Sequence, residues 1–560
     1  MKTAWEKVEK KSRIIVIGMF IVMTLLGLLV TPDYGMPWDE LLEIRTLGSN
    51  VREYVGLVKG NNREPYSSTT GIEFPDYTKN VDMDHGQSVY YPLAPALFAN
   101  YKTEGPRTLM LIWHAYTFLI FMAGVIGLYF ICKFLTGDWK YGVLGSLFLY
   151  LSPRFFAEGH YNSKDVVAMA IGILCIALGI KMIESKRFFF AVLFALVAAI
   201  ATNMRVNAVF LFGLLGILYL INLSVNRQWT KRNFTVGLTS VLSFLGISYL
   251  ITPAAWRAPL DYIEYVFARS SNFEAWGGVV FFHGTIHRPV PWYYIPVMIA
   301  VTTPILILLL IIAGHVTSIR QLIRDIRARV FSKTTPYYLL CVFYILAFLL
   351  FSMIRLPILY NSWRHLFFLY GPMLILAVGA VHSIMTRLKG KIKIAAAGAV
   401  GIQLLACLLI IVFSHPLQYV YFNPLAGRNP GQNYEYDYWN VSQVRLLMKL
   451  IDEIDSDSKI TICAVDWYTS DGLTKAIRVL PESYRKRIVL SYPPKEGSSK
   501  TVDFWMVNNS VRQIAEEERK IGVNWVYTGS EYTGPIGYPI AVSFTAFGSE
   551  YMMIYDMREQ

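Results

Sequence analysis

Charge and cysteine are both scarce in this sequence, and each scarcity excludes a class of protein. Asp, Glu, Lys and Arg make up only 16% of the 560 residues, against 54% hydrophobic types and a mean hydropathy of +0.40. An ordinary soluble domain is excluded, and lipid is the expected solvent. There are five cysteines. Cys132, Cys175, Cys341 and Cys407 lie in or beside apolar runs and Cys463 stands alone near the end, so no CxxC or other metal-ligand spacing exists. Structural zinc and a disulfide framework are thereby excluded. The chain also lacks internal repeats, low-complexity stretches and any long disordered tail.

What is present is a series of apolar runs. The first, Ile14 to Val30, follows Lys7, Lys10, Lys11 and Arg13 like the core of a signal peptide. No small-residue cleavage site comes after it, and Thr31-Pro32-Asp33 opens a polar segment, so it reads as a retained helix that also targets the chain. With about 20 apolar residues needed to cross a bilayer, the sequence predicts about eleven spans. They cover residues 14–31, 109–132, 139–152, 166–183, 188–203, 206–223, 234–252, 292–314, 336–354, 365–386 and 392–413.

The formal charge of +13 follows this topology rather than signalling nucleic acid. A cytoplasmic N-terminus places Lys133 with Lys140, Lys181 with Lys186 and Arg187, Arg227 with Lys231 and Arg232, and Arg387 with Lys389, Lys391 and Lys393 inside. Arg320, Arg324, Arg327, Arg329 and Lys333 join them, so every short connection on that side is basic, as the positive-inside rule requires. Four connections then face out: Pro32 to Thr108, Ser152 to Asp165, Pro253 to Pro291, and Arg355 to Arg364. With an odd number of spans, residues 414–560 are also outside. Strand-like runs at Lys459 to Val465, Val502 to Val507, Asn524 to Tyr527 and Tyr551 to Tyr555, with helical periodicity at Val441 to Ile454 and Val511 to Lys520, predict a small α/β domain there. The reading is a plasma-membrane protein that is mainly α and polytopic, with a transmembrane domain over 1–413 and an extracytoplasmic α/β domain over 414–560.

The outward pieces hold the residues with chemistry. In Gly35-Met36-Pro37-Trp38-Asp39-Glu40, Pro37 suits a helix start, and Asp39 and Glu40 suit the first turn. They read either as helix-end acids or as a positioned base. Successive helical residues point about 100° apart, so one of the two aims at a given spot while Glu43 shares the face of Asp39. The second piece, Ser152-Pro153-Arg154-Phe155-Phe156-Ala157-Glu158-Gly159-His160-Tyr161-Asn162-Ser163-Lys164-Asp165, places ionisable residues near membrane depth, where they are costly and tend to line a cavity or bind charge. Arg154, His160 and Lys164 offer donors for a phosphate or diphosphate, with Asp165 beside Lys164; snorkelling to headgroups is the plain alternative for Arg154 and Lys164. Arg205, Arg364 and His365 interrupt apolar runs on the same side. Alone each reads as an interfacial anchor; together, opposite a carboxylate-rich loop, they suggest one site for an anionic lipid headgroup and a base. His283 and His287 are separated by Gly284 and followed by prolines, which excludes a shared helical face. Asp82-Met83-Asp84-His85-Gly86 reads as a solvated turn, with a divalent cation as the alternative.

Taken in order, these segments resemble the GT-C superfamily of membrane glycosyltransferases, being similar to bacterial family 39 enzymes of the dolichyl-phosphate-mannose protein mannosyltransferase type and to aminoarabinose lipid A transferases. The resemblance runs from Asp39-Glu40 through the Ser152 to Asp165 segment, Arg205, Trp256, Phe282 to Gly284, Pro291 to Tyr294 and Arg364-His365, to His415 to Asn423 and Tyr434 to Trp439. It implies an inverting transfer of a monosaccharide from a polyprenyl-phosphate donor to an envelope acceptor (lipid, polysaccharide or protein) on the outer face. Asp39 is the implied base, Glu40 its neighbour in orientation or cation binding. Donor phosphate and sugar contacts fall to Arg154, His160, Asn162, Lys164, Asp165, Arg205, Arg364 and His365. Ser163 stands where relatives often have proline, and Asn361-Ser362-Trp363 replaces the usual run before Arg364. No insertion accommodates the extra lumenal β-domains of eukaryotic protein mannosyltransferases. A transporter or flippase of lipid-linked sugars is the rival class; its expected paired, broken helices in two related halves are not seen in the sequence.

Overall fold

The computed structural model describes residues 2–59, 83–100, 105–271, 279–330, 332–454, 458–464, 466–493, 502–522 and 537–558. Asp82 and the expected strand Asn524 to Tyr527 lie outside them. The helices run in the order α1 (Lys2–Val30), α2 (Glu40–Lys59), α3 (Ala94–Asn100), α4 (Pro106–Thr136), α5 (Trp139–Tyr150), α6 (Pro153–Tyr161), α7 (Asp165–Ser185), α8 (Phe188–Met204), α9 (Ala208–Val225), α10 (Lys231–Leu250) and α11 (Pro259–Ser271). A short hairpin of β1 (Val280–Phe282) and β2 (Thr285–His287) precedes α12 (Tyr294–Thr302), α13 (Ile305–Ala328), α14 (Thr335–Arg355), α15 (Tyr370–Arg387) and α16 (Gly390–Phe413). Among the described residues, nine helical segments are long and apolar enough to cross a membrane, and α8 is a shorter apolar one. The protein is a polytopic membrane protein. At 12 residues, α5 reaches only about 18 Å, and α6 follows it as a separate buried helix.

The expected span 292–314 is in fact two helices. Pro304 has no N–H to donate and pushes Thr303 out of the helical region, to an extended φ of −97° and ψ of 136°. The carbonyls freed there are taken up by Asn423, whose side-chain amide donates to Ala300 and Thr303 O at 2.6 Å each and whose backbone N–H donates to Val301 O at 2.8 Å. The polar tail thus satisfies a break inside the bundle.

At the centre, α7 and α15 are enclosed on most sides, while α1, α10 and α16 keep exposed Leu and Ile on the rim. Close approach at the centre depends on small residues. A Cβ built on Gly314 of α13 would sit 2.4 Å from Leu376 O, a backbone atom of α15. Gly314→Ala is therefore expected to cost on the order of 1–3 kcal/mol, read as a lower thermal midpoint in detergent. Gly216→Ala in α9, where nothing lies within 4 Å, is the control that leaves the midpoint unchanged or raised.

After α16 the chain does not enter a separate module at once. Leu417, Tyr419, Val420, Phe422, Tyr434, Tyr436, Tyr438 and Trp439 join the core of the helical bundle. Only then come α17 (Gln443–Glu453), β3 (Ile460–Ala464), α18 (Trp467–Val479), α19 (Glu482–Arg485), β4 (Ile488–Leu490), β5 (Phe504–Asn508), α20 (Asn509–Lys520), β6 (Ile540–Ala546) and β7 (Ser549–Asp556). They form one five-stranded sheet in the order β4-β3-β5-β7-β6, parallel from β4 to β5 and antiparallel from β5 to β6. Its core, with Leu446, Leu450, Ile462, Leu473, Phe504 and Ile554, also takes in Met36 and Met110 from the helical part.

Candidate active site

Asp39 lies one residue before α2, not within its first turn as expected. Its carbonyl accepts from the N–H groups of Leu42 and Glu43 at 3.0 and 3.1 Å, which puts it at the capping position. From there its side chain and that of Glu40 diverge. Asp39 Oδ2 accepts from Arg364 Nη1 at 3.1 Å. Glu40 is turned away into the bundle, where its Oε2 lies 2.6 Å from His114 Nε2. The two carboxylates therefore face different partners. Glu43, one turn on, shares the side of Asp39 and meets Lys164 Nζ at 3.2 Å through Oε1.

The cations converge by a shared counter-ion. Asp165, buried at the start of α7, binds Arg205 through Oδ1 and lies 3.9 Å from Arg364 Nη1 through Oδ2. Asn162 makes that arrangement possible: its Oδ1 accepts from the backbone N–H of Lys164 and Asp165 at 3.3 and 2.8 Å. Arg364 is 5% exposed and sits between the rings of Tyr360 and Trp439, 4.8 and 4.7 Å from their centroids. Its Nε has no hydrogen-bond partner among the described residues.

Asp39, Lys164, Arg205, Arg364 and His365 line one cavity of about 530 Å³. Asp84, His85 and Arg269 close its polar end. The opposite wall is apolar, formed by Phe210 of α9, Ala347, Phe348 and Phe351 of α14, and Pro357 to Leu359. Phe210 and Phe351 are about half exposed on the outside of the bundle, so the apolar end opens where lipid would lie.

The segment at Asp84-His85 is not a solvated turn. His85 is 4% exposed, with Nδ1 3.5 Å from Asp84 and Nε2 3.5 Å from Glu43, and Arg269 Nε donates to Asp84 at 3.1 Å. Gly86 holds the segment inward: its N–H donates to Asn203 O at 2.7 Å, and a Cβ there would overlap the Asn203 amide. Burial pushes the Glu43 carboxyl up, but Lys164 and His85 outweigh it and hold it at about 2. Burial and Lys164 push His85 down, yet Glu43 and Asp84 prevail and raise it to about 9. His85 is thus a further cation at the polar end. Sequence reading missed this network because its members, Glu43, Asp84 with His85, Lys164 and Arg269, come from four distant segments, Arg269 carrying no local signal at all. Among the described residues no group of three or more His, Cys, Asp or Glu is arranged to hold a metal ion.

Arg154, His160 and Asn162 are not on the cavity wall. Arg154 is occupied in docking the tail: Nη1 donates to Tyr438 Oη and Nη2 to Tyr421 O, both at 3.3 Å, and the guanidinium faces the Phe422 ring at 5.7 Å. His160 is stacked between Tyr34 and Phe118, at 4.7 and 4.4 Å, with Nδ1 3.0 Å from Thr31 Oγ1. Burial, then His114 and His415, push its pKa well below the usual value, so it is neutral.

Glu158 lies among these docking residues, accepting from Asn162 Nδ2 at 2.7 Å and Trp439 Nε1 at 3.3 Å. Burial raises it from 4.5 to about 7 against the pull of Arg154. Glu435 and Asp437 are raised to about 7 mainly by the same burial. A carboxyl raised on folding holds its proton more tightly in the native state. Its stabilisation is full below pH 4.5 and declines as pH rises to about 7. Between pH 4.5 and 6.5 the thermal midpoint of Glu158→Gln is therefore expected to gain on that of the parent protein as pH rises; equal slopes in the two proteins contradict this.

No protein-family model matches the sequence, and no curated protein matches it. Among solved structures, the chain is similar to ArnT from Cupriavidus metallidurans bound to undecaprenyl phosphate, at 10% identity over 97% of this chain and 98% of that one with a TM-score of 0.42. It is likewise similar to the same protein in the apo state, with a TM-score of 0.43 at the same identity and coverage.

Proposed function

We propose that the protein is an inverting glycosyltransferase that moves a monosaccharide from a polyprenyl-phosphate donor to an envelope acceptor on the outer face of the cytoplasmic membrane, its N-terminus inside. The reading is supported above all by one cavity that joins a carboxylate and clustered cations to an apolar wall open at the bundle surface. A phosphate carried on a long apolar chain matches both ends of that cavity, whereas a soluble sugar nucleotide matches only the polar one.

In this reading Asp39 takes the proton of the acceptor hydroxyl as its oxygen forms the new bond to the anomeric carbon. The bond from that carbon to the phosphate oxygen breaks on the opposite face, its electron pair leaving with the phosphate, so configuration inverts. Negative charge grows on the leaving group, and Arg364, Arg205 and Lys164 are already fixed around the cavity by Asp39, Asp165 and Glu43. Donors that need not reorganise stabilise such charge best. The acceptor is a lipid, a polysaccharide or a protein of the envelope.

The test is incubation of the purified protein with polyprenyl-phosphate sugars and a membrane extract, followed by mass spectrometry. Release of free polyprenyl phosphate with a gain of one sugar on an acceptor is expected. A donor moved across a vesicle membrane with its phosphate–sugar bond intact would mark a transporter and reject the proposal.

A further inference from the structure

The C-terminal sheet has the form of a ligand-binding fold with its binding place already filled. In open parallel sheets the ligand crevice lies beyond the carboxyl ends of the strands, where the chain order reverses. Here that point falls between β3 and β5, since β3 pairs with β4 on one side and β5 on the other. The helix starts bordering it are those of α18 and α20. The groups they present are taken by the chain's own residues 436–443. Asn508 Nδ2 donates to Asn440 Oδ1 at 2.9 Å and to Asp437 O at 3.4 Å, and Ser510 Oγ accepts from the Tyr436 N–H at 3.4 Å. Tyr468 Oη donates to Tyr438 O, and its own carbonyl accepts from Asn440 Nδ2 at 3.4 Å.

This segment carries Trp439 onto Arg364. The same end of the sheet also holds the residue beside Asp39. Trp38 stacks on Tyr468 at 4.7 Å with planes 20° apart and meets Trp467 edge-on at 5.2 Å. Lys475 of α18, 8% exposed, donates to Trp38 O at 3.1 Å, lies 4.4 Å from the centre of its ring and pairs with Asp471. Upstream, the Gly35 N–H donates to Val441 O at 3.1 Å. Both partners of the Asp39–Arg364 pair are therefore gripped from the sheet, one through Trp38 and one through Trp439.

We infer that the C-terminal α/β unit is a positioning part of the transfer site, with Lys475 as the residue that sets Asp39 through Trp38. The inference rests on the proposed glycosyl transfer for its kinetic consequence but not for its structural one. Lys475→Met keeps the aliphatic stem that packs on the indole and removes the donor and the charge; Lys475→Arg keeps both. A carboxylate displaced by about 1 Å loses rate without losing substrate affinity.

The experiment uses the full chain in nanodiscs. Hydrogen exchange is measured by mass spectrometry with no substrate present. In Lys475→Met, faster exchange over residues 36–43 is expected, with β3, β5 and β7 as protected as in the parent protein. In the transfer assay kcat is expected to fall by about tenfold to a hundredfold with KM for the donor within about twofold, and Lys475→Arg to recover most of it. Unchanged exchange over 36–43, or a raised KM with kcat intact, overturns the inference. If β3 and β5 also lose protection, Trp38→Leu, which leaves the sheet whole, decides by the same two readouts. Should the parent protein transfer no sugar, the glycosyl-transfer proposal fails by itself and the exchange result still judges the role of Lys475.

Discussion

Asp39→Asn is expected to bind a polyprenyl-phosphate donor as well as the parent protein and to transfer its sugar about 10²–10⁴-fold more slowly, the usual contribution of a positioned base. Asparagine keeps the size of the side chain and an oxygen to accept from Arg364 Nη1, so the 3.1 Å contact need not be lost. What goes is the capacity to take a proton. The comparison with Glu40→Gln makes the result specific. Glu40 points to His114, away from the cavity, and its replacement should lower stability before it lowers the rate of the folded fraction. Single-turnover rates and donor dissociation constants, measured on both variants, check the two statements together. Equal transfer by Asp39→Asn and the parent would remove Asp39 from the mechanism.

The second large effect is expected at Arg364. Arg364→Lys keeps a positive charge but not a planar cation lying against both Tyr360 and Trp439, nor a donor set wide enough to reach Asp39 and Asp165 as well as a phosphate. A fall in kcat of about 10²–10³-fold follows if Arg364 faces the leaving phosphate, with a smaller loss of donor affinity because Lys164 and Arg205 remain. Arg205→Lys should be milder: Asp165 binds Arg205 and holds the replacement ammonium nearby. Isothermal titration with a polyprenyl phosphate separates binding from rate. Arg364→Lys with unaltered kcat would shift the phosphate to another part of the cavity.

The membrane architecture was legible because burial in lipid imposes a one-dimensional rule. Each crossing needs an uninterrupted apolar run, and nearly every run read from the sequence is a helix here. The exception, residues 292–314, was misread where Pro304 breaks the helix, because the repair comes from Asn423, more than a hundred positions downstream. The lining of the cavity was legible in the parts that sit near span ends. Asp39 and Lys164 lie in polar segments between apolar runs, Arg205, Arg364 and His365 interrupt such runs, and all five line the cavity. Arg154 and His160 lie in such a segment too and do not line it. One is bound to Tyr438 and Tyr421, the other stacked between Tyr34 and Phe118. Local sequence has no means of distinguishing a cation aimed at a ligand from one aimed at a remote stretch of its own chain.

By itself, then, the sequence determined that this chain lives in a membrane, where most of its long apolar helices run, and which polar residues crowd to their ends; hydropathy and charge are properties of neighbours along the chain. Only the tertiary structure decided that Asp39 and not Glu40 meets Arg364, that His85 is buried beside Asp84 and Glu43, and that the C-terminal part of the chain contacts both Trp38, next to Asp39, and Arg364. Those outcomes depend on the directions of side chains brought together from segments hundreds of residues apart. A hydrogen bond or ion pair counts direction and distance in ångströms, and neither is written in the order of residues.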